Sequence, residues 1–544
     1  MAQIQVANLT FCYEGSFDNI FEDVSFSIDT NWKLGFIGRN GRGKTTFLQL
    51  LLGKHAYKGT ISAPRGFDYF PYRISEEMEG RCVSDFAEEL KPGCEEWRVI
   101  CELSKLSAQA DLLYRPFKTL SHGERTKALL AVLFSGDQDF LLIDEPTNHL
   151  DQDSRETVKQ YLNSKKGFIL VSHDRDLLDA CIDHALVLNR RSIEVQSGNF
   201  SSWQENKNRR DHFARMENEK HAREIASLKK SADRSRQWAQ KSEDRKIGYD
   251  PVKEPDRPFR PWFGAKAKKM QKRVKQYERR MEREIEAKEG LLEDIEEPVS
   301  LQLRPLAYHK ERLIYARNMT IGYEGQAAGS AVLKDFSFEL NQGERVFLHG
   351  KNGCGKSTWI RAILEAVHAP AENGTETSSG QSAAASGGLT APSGGLVIAA
   401  GEIQAGSGLT VSYVSQDTGF LRGSVRQFSS ERGLDESLFC ALLRQLDMDR
   451  AQFSKPMENF SEGQKKKVLI AASLMTPAHL YIWDEPLNYI DVFSRMQIEE
   501  LLLAYSPTMI LVDHDIRFQE RIATRVVEMP VFCDCADRSA HLQR

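Results

Sequence analysis

Two stretches of this chain have the composition to hold a polyphosphate: Gly38-Arg39-Asn40-Gly41-Arg42-Gly43-Lys44-Thr45 and Gly350-Lys351-Asn352-Gly353-Cys354-Gly355-Lys356-Ser357. Both fit the pattern GxxxxGK[ST]. The glycines let backbone N–H groups curl around phosphate, and the following helix N-terminus adds partial positive charge. Lys44 and Lys356 reach the terminal phosphates, while the Thr45 and Ser357 hydroxyls can ligate Mg²⁺. Thr46 and Thr358 complete each loop.

Each loop is followed by the same later features. Phe140–Ile143 and Leu480–Trp483 are apolar runs of the kind buried in parallel sheets, and they deliver Asp144-Glu145 and Asp484-Glu485 at their carboxyl ends, where open α/β sheets place ligands. The aspartates are suited to orienting a Mg²⁺ shell and the glutamates to polarising an attacking water. A further buried run, Phe168–Val171, ends at His173, and the second copy has His514; both histidines could contact a γ-phosphate. Between these features lie Ser121, Gly123 and Glu124 in one copy and Ser461, Gly463 and Gln464 in the other, each opening a helix. These are second phosphate-binding ends within their domains. One domain cannot easily use both ends on one nucleotide, so each implies a partner module. Gln416 follows the strand Val411–Val414, where the first copy has Tyr72.

The elements that must position these residues read as an α/β fold in duplicate. Strands are expected at Ile4–Phe11, Asn19–Ile28 and Lys33–Ile37. At 544 residues the chain is too long for a single core. We divide it into a first domain at 1–200, a helical linker at 201–300 and a second domain at 301–530 with a Gly/Ser/Ala-rich insertion at 366–408. A tail at 531–544 carries no signal. The insertion has too few large apolar residues to offset the entropy of ordering, apart from a strand-like Gly395–Ala399.

The linker differs in kind. The formal net charge is -4, yet Lys229 to Arg283 holds 19 Lys/Arg against 8 Asp/Glu. A basic patch in an otherwise acidic chain points to a local polyanion contact, with a solvated helical face as the plainer reading. Trp203 to about Lys246 contains only helix-compatible residues, with Phe213, Met216, Ile225 and Leu228 at three- and four-residue steps. Gly248 and the prolines 251, 255, 258 and 261 then interrupt it, and a second helix is expected at Ala265–Ile295. The result is an antiparallel helical hairpin with its tip near 247–264. Arg245, Lys246, Tyr249, Arg257, Phe259, Arg260, Trp262 and Phe263 gather at that tip. Rings that stack on splayed bases, set among cations that neutralise phosphate, suit RNA; stapling of the two helices is the alternative. Nine scattered cysteines without CxxC spacing fit a reducing compartment, and no apolar run approaches a transmembrane helix. The N-terminus lacks a signal pattern. A cytoplasmic chain is expected.

The phosphate loops, the LSxG-type signatures, the Asp-Glu pairs, the Asn148-His149-Leu150-Asp151 turn and the switch histidines, in this order, resemble ATP-binding cassette ATPases. The resemblance implies ATP and Mg²⁺ as ligands, Tyr13 and Tyr323 stacking on adenine, Gln416 at the metal, and Glu145, Glu485, His173 and His514 as catalytic groups. It also implies head-to-tail pairing within a monomer, in which Ser461 and Gly463 close ATP at Lys44, and Ser121 and Gly123 close ATP at Lys356. Two cassettes, a charged helical linker and no membrane domain resemble the ABC-F translation ATPases. The 70S ribosome, 23S rRNA and P-site tRNA are then the expected partners. Tyr69-Phe70-Pro71-Tyr72 and Ile482-Trp483-Asp484-Glu485-Pro486-Leu487-Asn488-Tyr489-Ile490-Asp491 look most like the branch protecting ribosomes from lincosamides, streptogramin A and pleuromutilins. A housekeeping translation factor and an exporter's ATPase subunit are the alternatives.

Overall fold

The computed structural model describes residues 2–13, 19–136, 139–148, 150–189, 192–247, 303–323, 331–351, 353–368 and 396–530, with scattered positions between 268 and 283. By internal contacts the chain forms two units, Met1–Phe200 with Pro298–Arg544, and Ser201–Glu297.

The first unit contains the same two-layer arrangement twice. A six-stranded sheet runs in the order Phe67–Phe70, Phe140–Asp144, Phe168–Val171, Lys33–Ile37, His184–Leu188 and Ile193–Ser197, parallel except for the last strand. Its counterpart has five parallel strands: Val411–Val414, Leu480–Asp484, Met509–Val512, Arg345–His349 and Arg525–Glu528. The central strands are buried along their length, because parallel strands are covered on both faces. Beside each sheet lies a three-stranded antiparallel sheet, Phe21–Asp29, Gln3–Phe11 and Lys58–Ser62 in one copy and Leu333–Asn341, Arg312–Tyr323 and Leu396–Ala405 in the other.

The helix after each phosphate loop packs between these sheets through one aromatic residue. Phe47 meets Phe21, Phe26 and Phe36, and at the equivalent position Trp359 meets Phe336 and Phe338. Such buried rings fix the loop at their helix's N-terminus through large apolar contact area. Duplication extends to the backbone: Asn8 and Asn318, Asp23 and Asp335, and Glu145 and Glu485 all have left-handed φ near 50°.

The strand expected at Gly395–Ala399 is ten residues long, Leu396–Ala405, and pairs with Arg312–Tyr323. The insertion bounded at 366–408 therefore includes the last turn of the helix Lys356–His368 and a full edge strand. It is a lengthened helix-to-strand connection, spanning 369–395 where the first copy uses 52–57.

In the second unit, the helix Phe200–Ile247 runs 48 residues, about 72 Å at 1.5 Å per residue. Ile247 is the last described residue of this stretch, and the break expected at Gly248 lies outside the described residues. Along its apolar positions Ile225 is buried, but Phe213 and Met216 are 63% and 60% exposed, so the three- and four-residue spacing does not mark a continuous buried stripe. Described positions at 268–283 are helical. The reversal, the rest of the second helix, Tyr249, Arg257, Phe259, Arg260, Trp262 and Phe263, the side chains of Arg245 and Lys246, and the tail at 531–544 lie outside the described residues.

Candidate functional site: two composite nucleotide sites

Each phosphate loop leaves a buried strand and turns through glycines whose backbone angles disfavour a side chain. Gly43 has φ 102°, and a Cβ there would sit 2.6 Å from Ile20; its counterpart Gly355 has φ 98° and the same crowding from Val332. Gly41 and Gly353 also have positive φ, and Gly38 and Gly350 open the loops against Leu188 and Cys354. Lys44 Nζ donates to Gly38 O at 2.6 Å, Arg39 O at 3.1 Å and Asn40 Oδ1 at 3.2 Å. Lys356 Nζ donates to Gly350 O at 2.6 Å and Lys351 O at 2.9 Å. Burial lowers the Lys44 pKa, against the opposing pull of Asp491, Glu145 and Asp144. Asn352 lies outside the described residues.

The carboxylates arrive as the sequence predicts. Thr45 Oγ1 donates to Asp144 Oδ2 at 3.2 Å, and Ser357 Oγ to Asp484 Oδ2 at 3.0 Å. Burial raises both aspartates. Asp484 Oδ1 is buried without a hydrogen-bond partner, which suits a group awaiting a cation. Among the described residues no cluster of three or more His, Cys, Asp or Glu could hold a metal. One carboxylate and one hydroxyl per site nevertheless fit Mg²⁺, an oxygen-binding ion that takes its other ligands from phosphates and water.

The glutamates next in sequence differ in surroundings. Glu145 Oε1 lies 3.4 Å from His173 Nε2, and its Oε2 accepts from the His173 amide at 3.4 Å. Burial, then Asp144, pushes Glu145 up to about 8, and burial holds His173 well below its usual value. Glu485 Oε2 accepts from Gln416 Nε2 at 2.9 Å and Asn488 Nδ2 at 2.7 Å, while His514 Nε2 stands 3.9 Å from Oε1. Burial, then Arg155 and Lys356, takes His514 down to about 3. Tyr72 does not replace Gln416: its hydroxyl donates to Asp68 Oδ2 at 2.7 Å, which also takes Lys91 at 2.9 Å. Tyr69 instead reaches the first site, donating to Asp144 Oδ2 at 3.1 Å. Alternation along the strand Phe67–Phe70 could have revealed it, since Tyr69 and the loop share the carboxyl edge of the sheet.

The two tyrosines expected at adenine hydrogen-bond the threonines expected at phosphate, Tyr13 with Thr46 at 2.8 Å and Tyr323 with Thr358 at 2.9 Å. Tyr13 is 41% exposed, so a ring face is open. The signature residues form capping boxes: Ser121 with Glu124, and Ser461 with Gln464, each satisfying the other's amide. Gly463 lies so close under Tyr489 that a Cβ would meet its carbonyl oxygen at 2.5 Å, whereas at Gly123 the nearest atom is Ser154 Oγ at 3.2 Å.

The cassettes face each other head to tail. Asn40 Nδ2 donates to Tyr489 O at 2.8 Å, and Asp447 lies 3.4 Å from Arg39 and 3.7 Å from Arg42. On the opposite side Lys351 Nζ is 3.0 Å from Asp153, and Arg155 Nη1 donates to His514 O at 3.4 Å. The first phosphate loop therefore meets the turn that follows Glu485, and the second meets the helix that follows Glu145. Between the two sites, Glu499 binds Arg175 and Arg521, and Arg517 binds Asp176 and Asp179. Of these, Glu499–Arg175, Arg517–Asp176 and Arg517–Asp179 join the two cassettes, and no motif announces them.

The family model described as ABC transporter matches residues 21–148 and 333–488. The ribosome protection protein VmlR of Bacillus subtilis is 28% identical over 517 residues, covering 94% of this chain and 84% of that protein. The ATP-binding protein Uup of Caulobacter vibrioides is 25% identical, covering 94% and 74%. Among solved structures, that of an archaeal ribosome recycling factor in complex with a ribosomal stalk protein aligns with TM-score 0.55 at 17% identity, covering 96% of this chain and 87% of that one. It shares the fold. Among the described residues no helix is long and apolar enough to cross a membrane. With a matching cassette in each half, and relatives aligned across both, the chain belongs to the ABC transporter family, in its ABC-F branch of tandem ATPases, and hydrolyses ATP.

Proposed function

We propose that this ATPase binds the ribosome and confers antibiotic resistance by ribosomal protection, its interdomain segment reaching toward P-site tRNA and the peptidyl-transferase centre, with hydrolysis driving release. The observation that carries this reading is the similarity to a ribosome protection protein along 94% of the chain. The cations and rings at 245–263 are the residues that would contact 23S rRNA and tRNA.

In the chemistry that powers it, the loops at Lys44 and Lys356 hold the phosphates of ATP by backbone amides and ammonium charge. Thr45 with Asp144, and Ser357 with Asp484, would hold Mg²⁺. When bound, Mg²⁺ supplies charge neutralisation on the β- and γ-phosphates. Glu145 and Glu485 accept the proton of the attacking water, and His173 and His514, held neutral, donate toward the γ-phosphate. Ser461 with Gly463, and Ser121 with Gly123, close the first and second sites, so binding clamps the cassettes and hydrolysis frees them.

The test uses a Glu145→Gln, Glu485→Gln chain, which binds ATP without hydrolysing it. With ATP it should co-sediment with 70S ribosomes, and expression of the unmodified chain should raise inhibitory concentrations of lincosamides, streptogramin A or pleuromutilins. Ribosome binding without protection would favour a housekeeping translation factor. Membrane enrichment with no ribosome binding would favour an exporter subunit.

A further inference from the structure

The signature helix of the second cassette, Glu462–Met475, touches both nucleotide sites. At its start Gly463 packs under Tyr489, whose carbonyl accepts Asn40 of the first phosphate loop. Four residues on, Lys467 Nζ lies 3.0 Å from Asp491, and both act electrostatically on Lys44. This end belongs to the first site. The residues on the neighbouring face belong to the second. Lys466, 3% exposed, donates to Ser415 O at 2.9 Å and Asp484 O at 3.3 Å. One turn earlier Glu462 Oε2 accepts from Thr418 Oγ1 at 2.5 Å. Residues four apart share a helix face. Glu462 and Lys466 thus grip the chain on both sides of Gln416, whose amide holds Glu485.

The first cassette lacks this grip. Thr126 stands where Lys466 does, and its hydroxyl turns back to His122 O at 3.0 Å within its own helix. Tyr72, in the place of Gln416, is turned onto Asp68. An ammonium buried to this degree is costly unless paired, and Lys466 sits in the field of Asp484, Glu485 and Asp513. Its carbonyl contacts join the strand that ends at Asp484 to the loop that carries Gln416.

We propose that Lys466 is a positioning residue of the second ATPase site, through which the signature helix makes the placement of Gln416 and Glu485 depend on nucleotide at the first site. The first cassette has neither Lys466 nor Gln416, so this path has no counterpart in the opposite direction. A displacement of the helix's first turn, as the first site closes or opens, moves Lys466 and Glu462 with it, since one short helix moves as a rigid body. The inference rests on ATP hydrolysis by these cassettes and not on ribosome binding.

The test is a double-mutant cycle in a Glu145→Gln chain, where only the second site turns over and the first still holds ATP. Lys44→Ala empties the first site; Lys466→Met cuts the grip. Each change alone should lower kcat at the second site about tenfold, and Lys466→Met should leave the KM for ATP within twofold. Together they should lower kcat no further than either does alone, because both break one path. Lys466→Arg, which keeps the donors, should restore the rate and its dependence on Lys44. If Lys466→Met lowers the melting temperature by more than a few degrees, Lys466→Gln takes its place in the cycle. Losses that multiply, or a KM increase at constant kcat, overturn the proposal. All measurements use the purified chain without ribosomes, so the outcome is independent of the co-sedimentation test.

Discussion

Glu499 is the residue whose loss should most weaken the contact between cassettes. Its side chain is fully buried and takes Arg175 through both carboxylate oxygens and Arg521 through Oε2. Arg175 is itself 6% exposed, its Nε has no hydrogen-bond partner, and its next carboxylate, Asp515, is 4.0 Å away. Glu499→Leu therefore strands a buried guanidinium, at a cost of about 3–5 kcal/mol. Arg175→Leu alone leaves Glu499 with Arg521, which is nearly half exposed and can follow it toward solvent, so the loss should be about 2 kcal/mol, typical of a removed charged hydrogen bond. With both leucines present the opposed surfaces are apolar, and most of the stability should return. Hydrogen exchange reports this directly: amides of Arg175–Cys181 and Ile516–Ile522 should exchange faster by a hundredfold or more in Glu499→Leu, and near the parent rate in the double variant. Additive losses in the double variant would refute the claim that Glu499 acts through Arg175.

Three further outcomes follow from the sites. Gln416→Ala should slow second-site turnover about tenfold in a Glu145→Gln chain, while Tyr72→Phe leaves turnover unchanged and costs about 1 kcal/mol of stability by urea unfolding. Burial raises the Asp515 pKa, but Arg495 at 3.1 Å and Arg175 outweigh it and hold the carboxyl below its usual value. A depressed pKa contributes stability above the unfolded value of about 3.9 and loses it as pH falls through the folded one, so acid unfolding below about pH 4 should be shallower in Asp515→Asn. Ser357→Ala, which removes the hydroxyl bound to Asp484, should raise the Mg²⁺ concentration needed for tight binding of a fluorescent ATP analogue severalfold, and an unchanged Mg²⁺ requirement would place the ion elsewhere.

The motifs made both phosphate loops, the Asp-Glu pairs and the switch histidines legible, because their chemistry needs fixed residue types at fixed distances from a strand end. Buried parallel strands such as Phe168–Val171 announced themselves as unbroken apolar runs. What escaped was whatever depends on a second copy folding against the first. Arg175, Glu499 and Asp447 look like ordinary surface charges in one dimension, since nothing local says that another cassette will cover them. Lys466 was hidden among three consecutive lysines, of which Lys465 turns to Glu462 and Lys467 to Asp491. Tyr72 departs from the glutamine of the second copy, yet the tyrosine that reaches the first site is Tyr69, three residues earlier on the strand Phe67–Phe70.

The charges where the two copies meet across their own repeat record how the duplication settled. Asp176 and Arg517 occupy the same place in the two cassettes, two residues after Asp174 and Asp515, and they bind each other. Any residue on the axis of a symmetric pair meets its own kind. A first cassette paired with another first cassette would set Asp176 against Asp176, and two second cassettes would oppose Arg517 with Arg517. Only the unlike pair brings opposite charges together there. At this position each half supplies the charge that the other lacks, so the contact favours the pairing of unlike cassettes over that of like ones.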